Sequence, residues 1–254
     1  MTFARPQLSV VIPAYNEEER LPPTLHAVHA WLSAQPLSYE ILVVDDGSTD
    51  GTREVVRGLA RELPNLGLIE SAPNRGKGHV VKQGMLTARG RLRLFMDADG
   101  STPLTQLPAL LAALDAGADI AIGSRRAEGA AFTVAPAWYR RIWSRLANRV
   151  VRAGLIDGIL DTQCGFKLFT AEAAEAIFRR ARTPGWAFDL EALALATRLG
   201  LRVTEVPVLW TDDRRSRINP IRDAVKITLE FLRIRRAFAR GEYDLPAAPR
   251  LLGA

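Results

Sequence analysis

The sequence predicts an α/β protein with a mostly parallel, twisted sheet flanked by helices. Three observations carry this expectation. Strand-like apolar runs alternate with stretches of helical periodicity about four times in the first half of the chain, which is the signature of a parallel sheet with crossover helices. Each of those runs ends in a polar loop, the place where such sheets gather ligands. Finally, the run Arg91–Ser101, RLRLFMDADGS, closes on two carboxylates, Asp97 and Asp99, one residue apart. An apolar run that ends in acids reads as a buried strand opening at its carboxyl end into a site.

The elements follow in order. LSVVIP (8–13) is the first strand and AYNEEER its exit loop; a helix is expected from Glu18 to Ala34, with prolines tolerated in its first turn. EILVVDDGSTDGT supplies a second strand and a loop in which Ser48 or Asp50 is placed to cap the next helix. In that helix Val55, Val56, Leu59 and Leu63 recur at helical spacing. LGLIES is a third strand, APNRGKG its loop, and a helix over Val80–Ala88 leads to the strand before Asp97. A helix near Leu104–Leu114 and the strand ADIAIGS complete the pattern at Ser124. The loops 13–17, 45–50, 74–78 and 97–100 are therefore expected to face one crevice.

Beyond Ser124 the pattern changes. EGAAFTVAPA is loop-like and precedes a helix beginning at Trp138. Its stripe of Trp138, Ile142, Leu146 and Val150, with Arg141, Arg145 and Arg149 alongside, fits either a membrane interface or ordinary packing with solvated arginines. DTQCGFKLF (161–169) precedes a helix that Thr170 can cap. WAFDLEALALATRLG reads as a helix with Asp189 and Glu191 near its positive end, LRVTEVPVLW as a last strand, and Ile221–Arg240 as a basic amphipathic helix. One domain over 1–241 and a flexible tail over 242–254 are expected.

Composition narrows the chemistry. With 48% hydrophobic and 24% charged residues the chain is an ordinary globular protein. No apolar run of about 18 residues predicts a membrane-spanning helix, and the first strand begins too early for a signal peptide. One cysteine, Cys164, and three histidines argue against a closed zinc site and point to carboxylate chemistry in a reducing, cytoplasmic setting. The net charge of +6 is concentrated late: Trp138–Arg152 holds five arginines and no acid, and Arg214–Arg240 holds nine basic residues against Asp223 and Glu230. Such a half implies an anionic partner. A nucleic-acid binder would explain these arginines but not four acidic strand-end loops, so no nucleic acid is expected.

Asp97 and Asp99 can aim oxygen ligands at one hard cation, Mg²⁺ or Mn²⁺, shared with a substrate diphosphate; the plain alternative is a pair of solvated turn aspartates. No GxGxxG follows the first strand, and NRGKG lacks the glycine spacing of a P-loop. A nucleotide can still be held by Asp46 on base or ribose and by Lys77 or Arg75 near phosphate.

PAYNE, DDGSTDGT, NRGKG, DADG, GSR (123–125), DTQCGFKLF and the FDLE after Trp186, in that order, resemble glycosyltransferase family 2. Within it they are most similar to the branch that glucosylates dolichyl (polyprenyl) phosphate, near the corresponding mannosyltransferases. The resemblance implies a single nucleotide-sugar-binding domain of the glycosyltransferase A type, with a nucleotide half over about 8–125 and an acceptor half over about 126–241. It implies inverting transfer from UDP-glucose to a polyprenyl phosphate by a peripheral enzyme at the cytoplasmic membrane face, in contact with an anionic membrane surface. Carried across, Pro13, Tyr15 and Glu17 would line the nucleotide pocket, and Val44 and Asp46 would contact base and ribose. Arg125 and Arg217 would neutralise phosphates, with Asp97, Ala98 and Asp99 flanking diphosphate and metal. Arg140 and Ser144 match the acceptor-phosphate positions of the mannosyl relatives, which carry a metal-binding glutamine where this chain has Ser101. Asp161 and Asp189 are the acids outside the metal loop that would serve a reaction needing a general base. GDP-mannose or another nucleotide sugar, and a soluble glycan acceptor, are the alternatives.

Overall fold

A computed structural model describes residues 5–134, 156, 158–211 and 220–245. Strands β1 (Leu8–Ala14), β2 (Tyr39–Asp46), β3 (Leu66–Ser71), β4 (Leu92–Met96) and β5 (Ile120–Ser124) alternate with helices α1 (Leu21–Ser33), α2 (Thr52–Leu59), α3 (Lys77–Thr87) and α4 (Leu107–Asp115), as the periodicity predicts. Then come β6 (Ala131–Val134), β7 (Phe166–Thr170), α5 (Ala171–Phe178), α6 (Phe188–Arg198), β8 (Val203–Pro207), β9 (Leu209–Thr211) and α7 (Pro220–Ala239).

The main sheet has seven strands in the order β3-β2-β1-β4-β7-β5-β8. All its pairings are parallel except those of β7, which runs antiparallel to both β4 and β5. Strand alternation sends side chains into two cores. Val10, Ile12, Val43, Leu94, Met96, Phe166 and Leu168 face α1, α2 and α4. Val11, Val44, Phe95 and Phe169 face α3, α5, α6 and the buried stripe of α7, Phe231 and Ile234. The inner strands β1, β4 and β5 are buried on both faces, which is why they read as continuous apolar runs, whereas the edge strands β3 and β8 are partly exposed.

Several elements differ from expectation. DTQCGFKLF contains the central strand β7, hidden in the sequence by Lys167 in the middle of a wholly buried segment. The expected single last strand breaks after Pro207; β9 leaves the main sheet and pairs with β6, inside the segment expected as a loop. Helix α3 starts at Lys77 rather than Val80, because Gly76, at φ +105°, ends the preceding loop in a backbone conformation that favours glycine. Thr170 caps α5 as expected, accepting from Ala173 N–H. At α2 neither expected residue is the cap: Gly51 holds that position without a side-chain bond, Asp50 just before it accepts from Thr52 N–H, and Ser48 accepts from Asn16 N–H.

The tail is not free from residue 242. Tyr243 is buried, stacks on Phe238, and its hydroxyl donates to Glu191 Oε1 at 2.6 Å. Among the described residues no helix is long and apolar enough to cross a membrane. Tyr243→Phe removes the donor to a fully buried carboxylate oxygen, and urea unfolding should show a loss of about 1–3 kcal/mol; unchanged stability would mean that the tail does not hold this contact.

Candidate active site

The carboxyl ends of β1, β2 and β4 and the start of α3 enclose a cleft of about 430 Å³. All four strand-end loops reach it. Pro13, Tyr15 and Glu17 come from the end of β1 and its loop, Asp46 from β2, Asn74, Gly76 and Lys77 from the turn into α3, and Asp97, Ala98 and Asp99 from the end of β4. Trp186, in the segment before α6, and Arg20 complete the wall.

Each group is held by a nameable contact. Glu17 accepts from Arg20 through both oxygens. Asp46 accepts from Arg75 N–H at 2.8 Å and Gly76 N–H at 2.9 Å, fixing the NRGKG turn onto the end of β2. Thr24 of α1 donates its hydroxyl to Ala98 O at 2.8 Å, and Ser101 N–H donates to Asp99 Oδ1 at 2.9 Å, so the DADG turn is tied from two directions. Asp97 lies against bare backbone: its N–H donates to Gly165 O, and a Cβ at Gly165 would stand 1.9 Å from Asp97 Oδ2. Lys77 reaches across to Asp97 Oδ1 at 2.6 Å, with its ammonium 5.0 Å from the Trp186 ring and 5.5 Å from the Phe95 ring.

Burial opposes the charge on Lys77, but Asp97, then Asp189 and Asp99, outweigh it and raise the ammonium's pKa above its ordinary value. Burial, and then repulsion from Asp97, raises Asp99 above the usual carboxylate range. A cation between these two aspartates would relieve that repulsion. The donors are hard oxygens, and among the described residues no three His, Cys, Asp or Glu side chains form a fuller cage. Asp97 and Asp99 are thus hard oxygen donors of the kind that Mg²⁺ or Mn²⁺ takes, and they would leave room for ligands from a substrate or water.

Four expected site residues are not brought to the cleft wall. The Val44 side chain is fully buried on the α3 face of β2, where a Cβ at Gly84 would touch it. Arg125 and Asp161 satisfy each other: Nε and Nη2 of the arginine donate to the two carboxylate oxygens at 2.7 and 2.9 Å, and the guanidinium stands over Trp210. Burial would raise Asp161, but its hydrogen bonds and charge attraction with Arg125 hold it below the carboxylate range, so it is a poor proton acceptor. Asp189, in the first turn of α6, is buried and accepts from Lys167 at 2.5 Å; burial outweighs Lys167 and raises its pKa. Arg140, Ser144 and Arg217 lie outside the described residues.

Sequence reasoning placed Asn74 only within a crevice loop, and it missed Arg20, Trp186 and Gly165. Arg20 follows Glu17 at ion-pairing spacing, and a glycine just before a strand marks a close backbone approach. Nothing local distinguishes Trp186 from a packing tryptophan.

The family model for Glycosyl transferase family 2 matches residues 9–178. The chain belongs to that family. This glycosyltransferase is 37% identical to the dolichyl-phosphate beta-glucosyltransferase of Dictyostelium discoideum, over 94% of this chain and 76% of that one. It is 40% identical to the Drosophila melanogaster protein of the same name, over 84% of this chain and 70% of the other. Its fold matches that of glucosyl-3-phosphoglycerate synthase from Mycobacterium tuberculosis, solved with Mn²⁺ and UDP-glucose, at a TM-score of 0.69 and 19% identity, over 96% of this chain and 81% of the other.

Two outcomes test the site's construction. Gly165→Ala should push the Asp97 carboxylate aside and lower glycosyl transfer about 10²-fold while leaving the protein folded; full activity would contradict the tight fit. Asp161→Asn should cost about 3 kcal/mol at pH 7 by leaving Arg125 without its partner. Because the folded pKa of Asp161 is depressed, the wild-type contribution is present above the unfolded value of about 3.9 and fades as pH falls through the lower folded value. Urea unfolding should therefore show the deficit shrinking below about pH 4, and an equal deficit at both pH values would contradict the pairing.

Proposed function

We propose that this glycosyltransferase moves glucose from UDP-glucose to a polyprenyl phosphate of the dolichyl type, inverting the anomeric centre to give a β-linked lipid-phosphate sugar. The observation that carries this reading is the identity of 35–40% to relatives named dolichyl-phosphate beta-glucosyltransferase, which extends over most of the chain. The nucleotide half is 8–125 and the acceptor half 126–241.

In this reading Tyr15, 45% exposed at the mouth of the cleft, offers an aromatic face to the base. Asp46, ordered by two backbone amides, keeps lone pairs for ribose hydroxyls. Lys77 lies beside the diphosphate, and its charge-assisted bonds strengthen as negative charge grows on the leaving group. A Mg²⁺ or Mn²⁺ ion held by Asp97 and Asp99 would supply further countercharge to the departing UDP. Arg217 adds countercharge to the donor diphosphate, and the acceptor phosphate, met by Arg140 and Ser144, attacks from the opposite face of the sugar. A phosphate monoester is already largely ionised at neutral pH, with a second pKa of about 6, so no strong base is required; the paired state of Asp161 and the burial of Asp189 agree with that.

A lipid acceptor calls for a membrane-facing surface. On α7, Leu229 and Leu232 are 51% and 40% exposed, and Lys226, Arg233 and Arg236 share that side of the helix. Exposed leucines set among cations suit peripheral binding to an anionic bilayer, here at the cytoplasmic face.

The test is sugar transfer to a short polyprenyl phosphate with Mg²⁺ or Mn²⁺, with UDP-glucose and GDP-mannose supplied in parallel. Product is expected from UDP-glucose and should fall at least about 10²-fold in Asp99→Ala. Product from GDP-mannose alone would overturn the donor assignment. Hydrolysis of UDP-glucose without lipid product would overturn the acceptor.

A further inference from the structure

Residues 182–187 form a strap between α5 and α6 that carries Trp186 into the cleft. The strap is gripped by its backbone, and by carboxylates from two different helices. Glu191 of α6, fully buried, accepts from Arg182 N–H at 2.9 Å and Thr183 N–H at 2.8 Å. Glu230 of α7 accepts from Ala187 N–H at 2.8 Å, and it lies so close over Gly185 that a Cβ there would stand 1.9 Å from Oε1. Helix α7 is itself anchored by Phe231 and Ile234 in the core, so Glu230 acts from a fixed base.

The other side of the strap presses on the start of α3. His79 N–H donates to Pro184 O at 3.1 Å. A Cβ at Gly76 would stand 2.5 Å from Pro184 O, and one at Gly78 would stand 2.4 Å from Thr183 O. There is no slack between strap and helix, and Lys77 sits between those two glycines with its ammonium over Trp186 and against Asp97. Glu230 does not line the cleft, yet one hydrogen bond from it fixes the residue next to Trp186.

We propose that Glu230 is a positioning residue for donor binding: by holding the Ala187 amide it seats the Trp186 strap against α3 and so fixes Lys77 beside Asp97. The inference rests on the reading of this cleft as the nucleotide-sugar site. Removing the carboxylate leaves the Ala187 N–H without its acceptor and opens a gap beside Gly185, which has no side chain to fill it. The strap then loosens from α3, and the Lys77–Asp97 corner loses its fixed geometry before any substrate arrives.

The experiment compares wild type, Glu230→Ala and Glu230→Gln in UDP binding with Mn²⁺, in KM and kcat for UDP-glucose, in amide exchange over 183–187, and in Tm. Glu230→Ala is expected to weaken UDP binding and raise KM about tenfold while kcat changes less than about threefold. Exchange at Gly185–Ala187 should quicken in that variant. Glu230→Gln, which keeps a carbonyl acceptor, should stay within about threefold of wild type in every respect. Unchanged exchange at Gly185–Ala187 in Glu230→Ala overturns the inference whether or not UDP binds. A loss shared equally by kcat and KM that follows a fall in Tm also overturns it. Failure of the wild-type protein to bind UDP overturns instead the donor reading on which it rests.

Discussion

The ion pair between Lys77 and Asp97 joins the first residue of α3 to the end of β4, and the surrounding structure is arranged so that both charges can stand there. A lysine at a helix N-terminus faces the positive end of the helix dipole, an unfavourable place for a cation. Asp97 offsets this directly, and Asp189 and Asp99 from further away. The result is a corner where backbone amides, a helix end and an ammonium all favour negative charge, next to two carboxylates that favour a divalent cation. In the proposed reading the ligand of this corner is a metal-bound diphosphate, which carries both kinds of charge.

The antiparallel strand β7 makes the corner possible. Entering between β4 and β5, it sets Gly165 under the Asp97 carboxylate. It also sends Lys167 into the core, where the ammonium donates to Cys164 O and to Asp189. Residue 161, just upstream, pairs with Arg125 at the end of β5. One segment thus fixes Asp97, a buried acid on α6 and the arginine just past a neighbouring strand, and a buried pair of this kind specifies geometry more than it adds stability.

How far this was legible in the sequence follows from the physics of each part. The first four strands and their loops could be read because parallel strands buried on both faces give unbroken apolar runs with polar punctuation. The convergence of PAYNE, DDGSTD, NRGKG and DADG on one cleft then follows from the topology alone. β7 could not be read, because a lysine whose partners lie 3 and 22 residues away looks like a surface residue until the fold is known. The same holds for Arg125 and Asp161, each assigned a separate role by motif although they satisfy each other. Trp186 and Glu230 come together only through contacts across more than 40 residues, which no local pattern encodes.

In the proposed reading the Lys77–Asp97 corner grips a diphosphate. The most direct measurement is the affinity for UDP relative to uridine, with Mn²⁺ present, in wild type and in Lys77→Met. Wild type should prefer UDP by at least about 10²-fold, and the variant should lose roughly tenfold or more of that preference, the worth of one charge-assisted hydrogen bond. Equal binding of UDP and uridine by the wild-type protein would contradict the claim.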